Sequence, residues 1–129
     1  VFDTEKKQLL SSSVFSQVSL HEQYGGVVPE IASRSHVEKI NGIVQNALDQ
    51  AKCTLDDIDS IAVTTKPGLA GSLLVGLSFA KGLAWAKNKK IIGINHLEAH
   101  IFSSFLNRVL SSIQNNLAKI YDPFNNPFS

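Results

Sequence analysis

Two hydrophobic periods alternate along this chain. Val37, Ile40, Val44, Ala47, Leu48 and Ala51 recur at steps of three and four, which places them along one side of a helix. Pro29 suits the first turn of that helix, where its missing N–H does no harm, so a helix is predicted from about Pro29 to Ala51. Ser60 to Thr65, centred on Ile61-Ala62-Val63, and the apolar run Ile91 to Ile94 lack that period and read as short strands of the buried type. Between them the loop Lys66-Pro67-Gly68-Leu69-Ala70-Gly71-Ser72 opens a long apolar helix reaching about Lys87. That helix mixes Gly71, Gly76, Ala80, Gly82, Ala84 and Ala86 with Leu73, Leu74, Leu77, Phe79 and Leu83. Each interior glycine costs a helix about 1 kcal/mol against alanine, so this run predicts a buried helix with another backbone close against it.

The flanks carry weaker patterns. Val1 and Phe2 read as the end of a strand, Asp3 to Gln8 as a polar turn and Leu9 to Val18 as a second strand, together a β-hairpin. The stretch Leu20 to Glu30 holds the pair Gly25-Gly26, which admits backbone conformations closed to other residues. Leu55 to Asp59 is an acidic connector. Leu106, Leu110, Ile113, Leu117 and Ile120 form a helical stripe, and Tyr121 to Ser129 reads as loop. Hairpin, helix, strand, helix, strand, helix is the order of an α/β domain, a mixed sheet with helices on its faces. One partial domain is expected over residues 1–129, with 106–129 as a divergent tail.

Composition narrows the class. With 43% hydrophobic and 18% charged residues among 129, the chain can bury a core and does not resemble a disordered segment. Twelve basic and eleven acidic residues give a net charge of +1, so no global field demands a nucleic-acid partner. Lys81, Lys87, Lys89 and Lys90 gather at the end of the long apolar helix, where carbonyl capping and solvation explain them and an RNA-phosphate role is the lesser reading. A single cysteine, Cys53, rules out an internal disulfide and points to a reducing compartment. Neither a signal peptide nor a membrane-spanning run is visible. The chain opens on Val1 and lacks methionine, so it is expected to be incomplete at its start.

The chemistry is concentrated in Asn95-His96-Leu97-Glu98-Ala99-His100. Asparagine is a natural N-cap, and a helix starting there stacks His96 and His100 one turn apart. Two neutral imidazoles so placed can hold one divalent metal, or can be ordinary residues of a helix start. A strand's carboxyl end, where open α/β sheets bind ligands, favours the first reading. The zinc-protease motif puts glutamate directly after its first histidine. Here Leu97 follows His96, and Glu98, two places on, is turned about 200° around the helix, so it is badly aimed to serve as base. His36 is read as packed or solvated. The loop Lys66 to Ser72 is either an anion contact at a helix start or a tight turn, since the Gly-Lys-Ser/Thr ending of a P-loop is missing.

Three segments carry a resemblance. YGGVVPEIASRSHVEKI (Tyr24 to Ile40), DIDSIAVTTKPGLAGSLLVGLSFAKGLA (Asp57 to Ala84) and IIGINHLEAHIFS (Ile91 to Ser103) are similar, in order and spacing, to the tRNA threonylcarbamoyladenosine transferase family, TsaD in bacteria, formerly called glycoprotease. The resemblance implies an actin-like, sugar-kinase-like fold of two α/β halves, of which this chain holds most of the first and is incomplete at both ends. It implies transfer of a threonylcarbamoyl group from threonylcarbamoyl-adenylate to the adenosine adjacent to the anticodon of tRNAs reading codons that begin with A. His96 and His100 match the family's two metal-holding histidines, so one divalent ion, iron or zinc, is expected there.

The implied partners are tRNA, a TsaB-like paralogue and a TsaE-like ATPase, with no membrane. The implied place is the cytoplasm, or the mitochondrion for a eukaryotic source. Lys66 stands where the family has glycine, and Lys90 where it has proline. The family's acidic phosphate loop, Ser-Gly-Gly-His-Thr loop, adenosine-binding glycines and aspartate metal ligand are absent from this sequence, so the chain by itself is expected to be inactive. The competing reading is a non-catalytic TsaB-like scaffold, which lacks the two histidines; metalloprotease activity ranks below it.

Overall fold

The computed structural model describes residues 1–103. The tail at 106–129, with the stripe Leu106 to Ile120 and the loop Tyr121 to Ser129, lies outside the described residues.

Asp3 makes the opening turn: its Oδ1 accepts from the N–H of Glu5 (3.0 Å) and of Lys6 (2.9 Å), the local bonding by which a short carboxylate folds a turn. Strands β1 (Phe2–Asp3) and β2 (Gln8–Leu9) then pair antiparallel, Phe2 opposite Leu9. The second strand expected to Val18 stops at Leu9. Ser11 is buried instead, and its Oγ donates to the Ala47 carbonyl across a sequence gap of 36 (2.6 Å). That bond ties the segment to a helix and not to a ladder. Residues Val18–Glu22 form a short helix, α1, where the sequence suggested the end of a strand and nothing definite after it.

Helix α2 spans Pro29–Ala51, with Pro29 in the first turn and Glu30 bonded to Arg34 at 2.6 Å. It ends at Lys52 in the left-handed region (φ 54°), where the N–H of Cys53 closes on the Leu48 carbonyl. Ala32, Ser35 and Leu48 are buried, and Ile40, Val44, Ala47 and Ala51 are half-buried. Val37, expected in the same stripe, is 62% exposed.

The acidic connector is a 3-10 turn, Leu55–Asp57. Thr54 and Asp57 cap it reciprocally: the Asp57 carboxylate accepts from the Thr54 N–H and hydroxyl, both at 2.8 Å. These bonds hold the Asp57 carboxyl below its ordinary value of 3.8. Lys87 Nζ reaches Asp56 Oδ1 at 3.0 Å and Lys89 Nζ reaches the Asp56 carbonyl at 2.9 Å. Two of the four clustered lysines therefore fasten the helix end to this connector.

Strand β3 (Ser60–Lys66), helix α3 (Ala70–Ala86) and strand β4 (Lys90–Asn95) form a βαβ unit whose strands pair parallel from Ser60–Lys90 to Lys66–Asn95, with a bulge between Thr64 and Lys66. The expected single mixed sheet is instead two separate pairs among the described residues, one antiparallel and one parallel. Helix α3 packs on β3 and on α2. The close approach expected of another backbone is made by a side chain instead: at Gly71 an added Cβ would come within 2.5 Å of Ser33 Oγ. Around Gly82 the space is open.

Nor is α3 buried all round as expected: Ala80 and Ala84 are, while Leu74 is 63% and Trp85 is 90% exposed. Strand β4 also departs from the buried strand predicted, with Ile91 and Ile92 exposed. The described neighbours, β3, α2 and β4 for α3 and β3 and α3 for β4, leave these side chains uncovered. No helix among the described residues is long and apolar enough to cross a membrane.

Candidate functional site

Strand β4 ends at Asn95, and residues 96–103 are helical. Asn95 makes that switch. Its Oδ1 accepts from the Leu97 N–H at 2.9 Å and, more weakly, from the Glu98 N–H at 3.4 Å, satisfying donors that a helix start leaves orphaned. With the first turn fixed, side chains four apart meet. The two imidazoles of His96 and His100 lie edge to face, ring centroids 4.4 Å apart, with Nε2 to Nε2 at 3.0 Å.

That separation has a chemical meaning. Two nitrogens each about 2.1 Å from one ion lie about 3.0 Å apart at a right angle and about 3.4 Å apart at the tetrahedral angle. The rings thus converge at the span of two cis ligands, and both side chains are exposed to an incoming ion. The two Nε2 atoms are also within hydrogen-bond distance of each other, with the donor set by the tautomer. The donor set fits two positions of a metal centre. Among the described residues no group of three or more histidine, cysteine or carboxylate side chains converges on one point.

Lys66, the family departure noted above, stands opposite Asn95 in the strand register, one residue from the histidine helix. The loop after it contains a cis Lys66–Pro67 bond. Gly68 lies close against the helix that follows: an added Cβ would meet the Leu73 side chain at 3.2 Å.

An open cleft of about 920 Å³ lies between this loop and the N-terminal segment; His96 lines one wall, and Gln17, His21 and His36 line another. Glu98 is not among its lining residues. The expectation for His36, packed or solvated, is met in its second form: it is exposed, with Nδ1 3.2 Å from Gln17 Nε2. The sequence reading missed Gln17 and His21 altogether. Their one visible signal is the spacing Gln17-x3-His21, a single helical turn, which is lost when the segment is taken for a strand.

The sequence profile of the family described as "TsaD: tRNA N6-adenosine threonylcarbamoyltransferase" matches residues 8–114. Curated relatives carrying that enzyme name are similar over 100 residues: 58% identical in Clostridium botulinum, 54% in Fusobacterium nucleatum and 56% in Caldicellulosiruptor bescii. The matched part is 78% of this chain and 29–30% of each relative, so the chain spans about three-tenths of the length of the curated relatives it matches. The profile covers most of the chain and the relatives exceed half identity over it, and on them the chain belongs to the TsaD family of tRNA N6-adenosine threonylcarbamoyltransferases.

Proposed function

We propose that this chain is the part of a tRNA threonylcarbamoyltransferase that supplies two imidazole ligands, His96 and His100, to a catalytic metal site. The observation that carries the reading is the 3.0 Å convergence of their Nε2 atoms on a helix start capped by Asn95. Iron(II) and zinc both suit imidazole donors. When bound, the ion supplies Lewis acidity, neutralising charge on a phosphate or carbonyl oxygen of the threonylcarbamoyl-adenylate. Asn95 caps the helix start that carries the two rings, and His96 lines the cleft.

The acceptor, by resemblance, is the adenosine adjacent to the anticodon of tRNAs reading codons that begin with A. The βαβ unit is assigned to the first half of an actin-like, sugar-kinase-like fold. Protein ligands of a catalytic metal usually number three, so the remaining donors and the phosphate-binding loops are assigned to sequence other than this chain. The apolar groove of Val37, Ile40, Leu74, Val75 and Phe79 between α2 and α3 suits a protein partner such as a TsaB-like paralogue, because exposed apolar patches mark association surfaces. A TsaE-like ATPase completes the assigned partners, and the assigned compartment is the cytoplasm, or the mitochondrion for a eukaryotic source. The transferase reading is preferred over a TsaB-like scaffold because the histidine pair is present.

The test is threonylcarbamoyl transfer to tRNA by the purified 129-residue chain, alone and with a separately expressed remainder of a relative. No transfer alone, and transfer on complementation that His96→Ala abolishes, is expected. Transfer by the chain alone, or complementation indifferent to His96→Ala and His100→Ala, contradicts the reading.

A further inference from the structure

The cleft wall opposite His96 is organised by a hydrogen-bond chain whose direction can be deduced from one end to the other. The Ala32 carbonyl can only accept, and Gln17 Nε2 lies 3.4 Å from it, so this side of the Gln17 amide is its NH2 group. Oε1 therefore faces His21 Nε2, 3.3 Å away, and as a pure acceptor requires Nε2 to carry the proton. The other ring nitrogen agrees: His21 Nδ1 accepts from the Val28 N–H at 3.2 Å. His21, 8% exposed, fits both contacts in the tautomer that carries its proton on Nε2.

The second hydrogen of the Gln17 NH2 group points to His36 Nδ1 at 3.2 Å, so Nδ1 is the acceptor and Nε2 bears the proton there too. His36 is exposed and lines the cleft. What it leaves for an occupant is Nε2–H.

We infer that Gln17 is a positioning residue which holds His36 as a neutral Nε2–H donor toward the cleft, so that this imidazole binds an oxygen acceptor of the occupant and serves neither as a third metal ligand nor as a base. A ligating nitrogen or a base needs a free lone pair. In His36 the one lone pair is already taken by Gln17. The relay also joins α1, the α1–α2 loop and α2 at one point, because Gln17, Val28 and Ala32 all contribute to it.

The experiment is long-range proton–nitrogen NMR on the 129-residue chain labelled with 15N-histidine, at neutral pH. Expected are His21 and His36 both with protonated Nε2 and bare Nδ1. Zinc should shift the Nε2 resonances of His96 and His100 and leave His36 in its tautomer. Inorganic phosphate, titrated without zinc as an oxygen-acceptor probe, should shift His36 Nε2 saturably, and Gln17→Leu should weaken that response at least fivefold while the His36 signals collapse to an average of both tautomers. In Gln17→Glu, a pure acceptor beside Nδ1, the tautomer should reverse.

An Nδ1–H His36 in the unmodified chain, a His36 nitrogen bound by zinc, no response to phosphate, or a Gln17→Leu variant with unchanged His36 signals would each overturn the inference. The unmodified chain alone decides the tautomer, so a variant that fails to fold does not spare it. The tautomer is read without metal at His96 and His100, which keeps failure here separate from failure of the metal assignment.

Discussion

Replacing Asn95 by alanine isolates the step from strand to histidine pair. The cap consists of one good hydrogen bond, to the Leu97 N–H at 2.9 Å, and one long bond, to the Glu98 N–H at 3.4 Å. Loss of an N-cap side chain costs about 1 kcal/mol. Neither imidazole is touched, so the cost falls on holding the first turn in which His96 and His100 converge. If binding a divalent ion requires that turn, about 1 kcal/mol of ordering must now come from the binding energy, which weakens affinity about fivefold.

Asn95→Asp keeps an acceptor of equal capping rank and should restore the affinity to within about twofold. Calorimetric titration with zinc or cobalt reads both variants. The reasoning is refuted if Asn95→Ala binds as tightly as the unmodified chain, or if Asp behaves like Ala. In either case the helix start is not what sets the two rings.

The core offers further tests. Leu48, 6% exposed, is a large apolar side chain among the few buried ones, and Leu48→Ala should cost about 2–5 kcal/mol, read as a lowered urea midpoint. Gly71→Ala sets a Cβ 2.5 Å from Ser33 Oγ, whose hydroxyl donates to the Pro29 carbonyl at 2.9 Å. The Ser33→Ala/Gly71→Ala double variant should be more stable than the two single changes sum to, by about 1–2 kcal/mol. For Asp57, the Thr54 bonds lower the folded carboxyl below its ordinary 3.8. Its contribution is present above that ordinary value and is lost as pH falls through the lowered one. Asp57→Asn should flatten this acid limb of the stability curve and leave its slope near neutrality unchanged.

The long helices and the βαβ unit were legible because their signals are local. Pro29, the three-and-four stripe and the loop at Gly68 each fix backbone within a few residues. Asn95 likewise announced the helix start through its own side-chain chemistry. The hairpin's second arm was misread because Leu9 to Val18 mixes apolar residues with serines, while what decides its path is the bond from Ser11 to Ala47, which no local pattern encodes.

Burial was misjudged for the same reason at a larger scale. Val37, Leu74, Ile91 and Ile92 are apolar enough for an interior, but exposure depends on what packs against them, and the described neighbours leave them uncovered. The cleft eluded the sequence most completely. Gln17 and His36 are 19 residues apart and become neighbours only when α1 folds back against α2.

The central claim is that His96 and His100 grip one ion together. X-ray absorption at the zinc edge, on the chain loaded with one equivalent of zinc, tests it most directly. Two histidine nitrogens at about 2.0–2.1 Å are predicted, falling to one in His96→Ala and in His100→Ala. A zinc shell without histidine scattering, or one that neither substitution changes, would contradict the account.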